Sequence, residues 1–228
     1  MRKAISGICL GMMAMAGCSA EEKPAADPAA SVPPSPSAAE SAKLRSALLP
    51  VPKGMRVAYG PELGAFGSLK STQEGLAAVR QAKLRRPECA GSAQLDADRP
   101  DVAKAPAAVI AFAADRGSIT QAVVSMPAPV FPDPLPRECA NYTADVAGTP
   151  VAYRTKMLSM PPKGDQSRAY LTTAKGGEEN AEIGSVMIRR GTMIMSMLVV
   201  GKQVQPQGLY ELAHLADQNL AQAAKQVR

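Results

Sequence analysis

Residues 1–43 are unfit for a core, which confines any fold to the remainder of the chain. Arg2 and Lys3 precede an uncharged run over residues 4–16, rich in Ile, Leu and Met. A stable membrane-spanning helix needs about 20 apolar residues, and this run is shorter. A short positive start, a brief apolar middle and small residues at its end are the pattern of an export signal, here residues 1–17. Residues 19–43 are built largely from Ala, Pro, Ser and Glu, with Pro24, Pro28, Pro33, Pro34 and Pro36. Such a stretch has too little apolar surface to bury, and its prolines keep it extended at about 3.1 Å per residue. It reads as a tether, and residues 44–228 remain, enough for one domain with a real core.

The signal ends in Met15-Ala16-Gly17-Cys18, which resembles the lipobox of bacterial lipoproteins, with Met15 where Leu is usual. The resemblance implies that Cys18 becomes the first residue of the mature chain and carries the lipid, a diacylglycerol with further acylation such as palmitate. The domains expected are therefore a signal peptide at 1–17, a lipidated Cys and Pro/Ala-rich tether at 18–43, and an extracytoplasmic domain at 44–228, anchored to the cell membrane. Of the four cysteines, Cys9 leaves with the signal and Cys18 takes lipid. Cys89 and Cys139 remain, and an even pair in an exported domain implies one disulfide, the alternative being reactive thiols or half a metal site. The net charge of +6 suits anionic envelope surfaces but is too weak to argue for nucleic acid, so no nucleic-acid partner is expected.

Ser71-Thr72-Gln73-Glu74 has capping-box form, with Ser71 capping and Glu74 reaching back. Leu76, Val79 and Ala82 then share a helical face, and Pro87 ends the helix just before Cys89, so the disulfide is expected to pin this helix end to the segment near Cys139. Beyond this the period becomes two. Residues 108–114 and 119–126 read as strands around the hairpin signal Asp115-Arg116-Gly117-Ser118. Pro127, Pro129, Pro132, Pro134 and Pro136 force an extended loop that cannot join a sheet interior. Val151, Tyr153, Thr155 and Met157 alternate with Ala152, Arg154, Lys156 and Leu158, as in a half-buried strand. Residues 168–174, 183–190 and 192–200 read as further strands. Leu209, Ala213, Ala216, Leu220, Ala223 and Val227 then form the apolar stripe of a C-terminal helix. The fold class expected is α+β: a single domain with an antiparallel sheet, packed by one helix from the N-terminal half and one amphipathic C-terminal helix, with one disulfide.

The lipobox, the Pro/Ala tether, a Cys after the first helix and another before the main strand block together resemble actinobacterial envelope lipoproteins. The same order over most of residues 45–228 is similar to the extracellular sensor domain of the mycobacterial receptor kinase PknH. That resemblance implies an antiparallel sheet with packed helices and a cleft for an envelope ligand. The chain departs from it in having no kinase or transmembrane segment and only one disulfide to form, so signalling does not carry over.

No residues assemble into a catalytic motif, and none is expected to be catalytic. The one histidine, His214, lies on the C-terminal helix near Glu211 and Gln218, without the nucleophile and orienting acid that His-based catalysis needs. No Gly-x-Ser-x-Gly turn exists. Residues 67–72 lack the Gly-Lys pair of a phosphate loop, and Asn141-Tyr142-Thr143 is a glycosylation sequon by form alone. A close carboxylate pair is left open by sequence spacing. Arg80, Lys83, Arg85 and Arg86 form either a solvated helix end or an anion-binding patch. The most unusual stretch is Met193-Ile194-Met195-Ser196-Met197. In a strand its three methionines face one side, opposite Ile194, Leu198 and Val200. They serve as adaptable core filler, as an apolar ligand wall together with Met187 and Met157, or as thioether ligands for Cu(I). No cofactor and no metal is expected. The sequence thus points to a non-catalytic, membrane-tethered binding or sensor-like module for an apolar or amphiphilic lipid or cell-wall ligand. The alternative is a protein-docking or envelope assembly factor, recognisable by an exposed apolar patch or free sheet edge.

Overall fold

The alternating segments become the strands of one sheet. A computed structural model describes residues 36–89, 93–177 and 179–225. The signal peptide, Cys18 and the tether up to residue 35 lie outside the described residues. The helices are α1 (Ala38–Ser46), α2 (Lys70–Gln81), α3 (Pro100–Ala103) and α4 (Pro206–Lys225). The strands are β1 (Arg56–Ala65), β2 (Lys83–Leu84), β3 (Pro106–Ala114), β4 (Gly117–Ser125), β5 (Asn141–Val146), β6 (Thr149–Met157), β7 (Gln166–Gly176), β8 (Glu179–Arg190) and β9 (Met193–Gly201). They form one nine-stranded sheet in the order β1-β3-β4-β9-β8-β7-β6-β5-β2, antiparallel at every pairing. The α+β antiparallel class and the single disulfide, Cys89–Cys139, are as expected. Among the described residues no helix is long and apolar enough to cross a membrane.

Side-chain alternation divides the sheet into two faces. One carries Ile110, Phe112, Ile119, Val123, Val186, Ile188, Met193, Met195 and Met197, packed under Leu44 of α1 and Leu209, Ala213, Ala216 and Leu220 of α4. At Gly184 a Cβ would lie 2.9 Å from Val204 and 3.0 Å from Leu209, so α4 can settle on β8 only where the strand has no side chain. Arg190 at the end of β8 donates to both oxygens of Asp217, at 2.7 and 3.0 Å, and ties strand to helix. The carboxylate holds the Arg190 proton more tightly than usual. The other face carries Val109, Ala122, Val124 and Ile194 beneath Phe66, Leu69, Leu95 and Val102. Strands β3, β4 and β9 are buried on both faces at their centres, hence their near-continuous apolar runs.

Four local expectations are corrected. The domain starts before residue 44: α1 lies partly in the expected tether, its start capped by Ser37, whose hydroxyl accepts from the Glu40 N–H at 3.2 Å. Leu44 anchors it in the core. Ser71 does not cap α2, which begins one residue earlier after Leu69. Its N–H and hydroxyl instead donate to the Glu62 carboxylate of β1, at 3.1 and 2.6 Å, so a carboxylate from another element serves the positive helix end. The helix also ends at Gln81, well before Pro87, because the chain turns out to pair as β2 along β5. Finally, the disulfide joins not the helix end itself but the short 3-10 turns Pro87–Cys89 and Arg137–Ala140.

Between the two layers lies one buried polar side chain with a structural task. Gln121 is 0% exposed among apolar neighbours. Its amide oxygen accepts from the Leu49 N–H at 2.7 Å, and its nitrogen donates to the Ala47 carbonyl at 3.4 Å. These are the backbone groups of the turn leaving α1, which water cannot reach. Gln121→Leu is therefore expected to lower stability by about 1–3 kcal/mol, because it orphans a buried donor. Urea unfolding is expected to show a lower midpoint at unchanged slope.

Candidate functional site

A cleft opens on the sheet face opposite α4. Val109 of β3, Thr120 and Ala122 of β4, and Ser196 and Leu198 of β9 make its floor. Leu76 and Val79 of α2 form one wall, residues 94–98 the other, and Tyr59 and Phe66 close an end. The volume is about 370 Å³, within the range of small-molecule sites, as is an apolar lining with a few placed polar groups. Those groups are hydroxyls from the floor and from Ser71 and Thr72, with Gln94, Asp96 and Asp98 from the wall. Arg80 is committed to Asp98 at 2.8 Å.

A smaller cavity of about 60 Å³ shares Gln94 and Leu198 with the cleft. Cys89, Tyr142, Ile183, Ser185, Thr155 and Thr172 also line it. Thr155 and Thr172, opposite each other on β6 and β7, join their hydroxyls at 2.8 Å. Ser185, only 3% exposed, has no hydrogen-bond partner for its hydroxyl among the described residues. Tyr142 stacks on Tyr153 with ring centres 4.9 Å apart. Burial raises the Tyr142 phenol above its ordinary pKa, with Tyr153 adding to the effect. The disulfide therefore sits at the edge of this polar cavity. The proline loop approaches the same sheet face, the Leu135 N–H donating to the Tyr170 hydroxyl at 3.0 Å and Arg168 to the Pro132 carbonyl at 2.8 Å.

Of the basic residues, Arg85 and Arg86 join Arg154 and Lys175 around an open groove of about 560 Å³ at the β5–β7 end of the sheet, with Asn141, Thr143 and Thr173 between them. Arg86 lies 3.8 Å from Glu88.

The methionines are placed differently. Met193, Met195 and Met197 are fully buried against α1 and α4, on the face away from the cleft. Met187 is buried on the reverse face, paired with Ser196. Met157 is 61% exposed. None of the five lines the cleft, the small cavity or the basic groove. The alternation read from the sequence is correct, but it is the side of Ser196 and Leu198 that meets the cleft. His214 is exposed between Lys163 and Gln218. Among the described residues, no group of three or more His, Cys, Asp or Glu side chains could hold a metal. The hydroxyl residues of the cleft escape a reading of the sequence alone. Their signal is a Ser or Thr interrupting an otherwise apolar strand face, as Ser185 does on β8 and Ser196 on β9.

No family model matches the chain, and no curated protein sequence matches it. Solved structures similar to it include two mycobacterial proteins. One is the extracellular domain of PknH from Mycobacterium tuberculosis, at 12% identity and a TM-score of 0.46, covering 81% of this chain and 96% of that one. The other is an uncharacterised protein (Rv0999 ortholog) from Mycobacterium smegmatis, at 15% identity and a TM-score of 0.45, covering 83% of this chain and 95% of that one.

Proposed function

We propose that the chain is an extracytoplasmic, lipid-anchored binding module, non-catalytic and sensor-like, that holds an apolar or amphiphilic envelope molecule in the cleft between α2 and the β3–β4–β9 floor. The observation that carries this reading is the cleft itself: sized for a small ligand, walled by Leu76, Val79 and Leu95 over a floor that includes Leu198, and dotted with hydroxyls. A close-packed domain has no packing reason to keep such a concavity between a helix and its sheet. The Cys18 lipobox and the tether support the placement at a membrane surface. The non-catalytic part rests on the cleft's lining, which holds no His, Cys or Lys and whose one hydroxyl on a carboxylate, Ser71 on Glu62, is taken up in holding the start of α2.

The test uses the exported full chain carrying Cys18→Ser, which needs no detergent, and the neutral apolar dye Nile red. Saturable binding with blue-shifted emission is expected. Ala122 lies on the floor with its methyl group toward the cleft, so Ala122→Phe is expected to weaken binding at least about tenfold, or about 1.4 kcal/mol. A variant that melts like the parent yet binds Nile red equally well overturns the assignment.

A further inference from the structure

We infer that the cleft selects an uncharged amphiphile whose polar end, a single hydroxyl or carbonyl group, seats against Ser185, Thr155 and Thr172, and that it rejects anionic lipids. This rests on the cleft being a ligand site, and gives that ligand its chemical class.

Three observations converge. First, no Lys or Arg lines the cleft or the small cavity. Asp96 and Asp98 line the cleft wall, and the nearby Arg80 is already paired with Asp98. A carboxylate or phosphate settling on this apolar floor would lose hydration with no lining cation to replace it, which is unfavourable. Second, a wholly apolar ligand would leave the Ser185 hydroxyl as it stands, buried and unpartnered among the described residues. Buried polar groups nearly always have a partner. Thr155 and Thr172 share one hydrogen bond, so between them they still offer a second donor proton and free acceptor lone pairs. The trio can both give and receive hydrogen bonds, which suits an alcohol, ester or ketone oxygen. Third, the small cavity, about 60 Å³, holds a group on the scale of one or two water molecules. That is too little for a sugar or a phosphodiester. Because Gln94 and Leu198 border both spaces, a chain lying along Leu198 in the cleft brings its end to Ser185.

The experiment is displacement of Nile red from the Cys18→Ser full chain by decanol and by decanoate at neutral pH, in the parent and in Ser185→Ala. Decanol is expected to displace the dye at least about tenfold more tightly than decanoate. Ser185→Ala, a small change, is expected to weaken decanol about two- to tenfold, the range of one neutral hydrogen bond, once each competition is corrected for the directly measured affinity of that variant for Nile red. Decanoate competing as well as decanol overturns the inference and leaves the binding module standing. Decanol failing to compete, or competing equally in Ser185→Ala, overturns the seat at Ser185 and means that the small cavity holds only water. Nile red that never binds takes down the proposed function as well, so the two failures are distinct.

Discussion

Replacing both Cys89 and Cys139 by alanine is expected to lower stability by about 4 kcal/mol. The bridge spans 50 residues, and releasing a loop of that length returns about this much entropy to the unfolded chain. Domains are stable by only about 5–15 kcal/mol in total, so the loss should be visible as a large shift in the urea midpoint. The segment closed by the bridge contains α3, β3, β4 and the cleft wall 94–98, and Cys89 borders the small cavity. Binding of decanol should therefore suffer more than stability alone dictates when measured well below the unfolding range. A loss below about 1 kcal/mol would show that the two 3-10 turns hold each other without the bond, against the chain-entropy account.

The second large effect is Met195→Ala, expected to cost about 2–5 kcal/mol, as for other buried large-to-alanine changes. Met195 is fully buried, opposite Val123 of β4 and Ile188 of β8 in the layer beneath α1 and α4. Met195→Leu conserves volume closely enough to cost less than about 1.5 kcal/mol. Both variants should bind Nile red as the parent does, because the side chain points away from the cleft. This pair separates core filler from ligand wall: a loss of binding in Met195→Leu without a loss of stability would restore the methionines as ligand contacts.

How far the fold is legible in the sequence depends on how each segment is buried. Strands β3, β4, β7, β8 and β9 and helix α4 announce themselves through apolar period, because one or both of their faces meet a packed layer. Strand β1 does not: its first six residues are exposed, and Gly60-Pro61 interrupts the pattern. Its partner assignment depends on β3, which lies far along the chain. Helix α1 is written in Ala, Ser and Glu, the same residues as the tether before it, and Leu44 is its one buried residue. Ser71 has the right spacing for a cap, but Glu62 offers a charged oxygen that outcompetes a local hydroxyl. At the site, Ser185, Thr155 and Thr172 come from three consecutive strands, and their convergence depends on a register that no local pattern states.

That sheet order also sets when the site can come into being. Strands β5 to β9 are sequential neighbours, a local meander, while β3 and β4 form a hairpin of their own. The two assemblies meet only along β4 and β9, whose paired residues are widely separated in sequence. Ladders between such distant segments close late and slowly, because their loop entropy is lost before contacts repay it. The cleft floor straddles this seam, with Thr120 and Ala122 on one side and Ser196 and Leu198 on the other. A half-folded chain therefore has no cleft floor, and whatever the cleft binds, it binds only once β4 and β9 have zipped together.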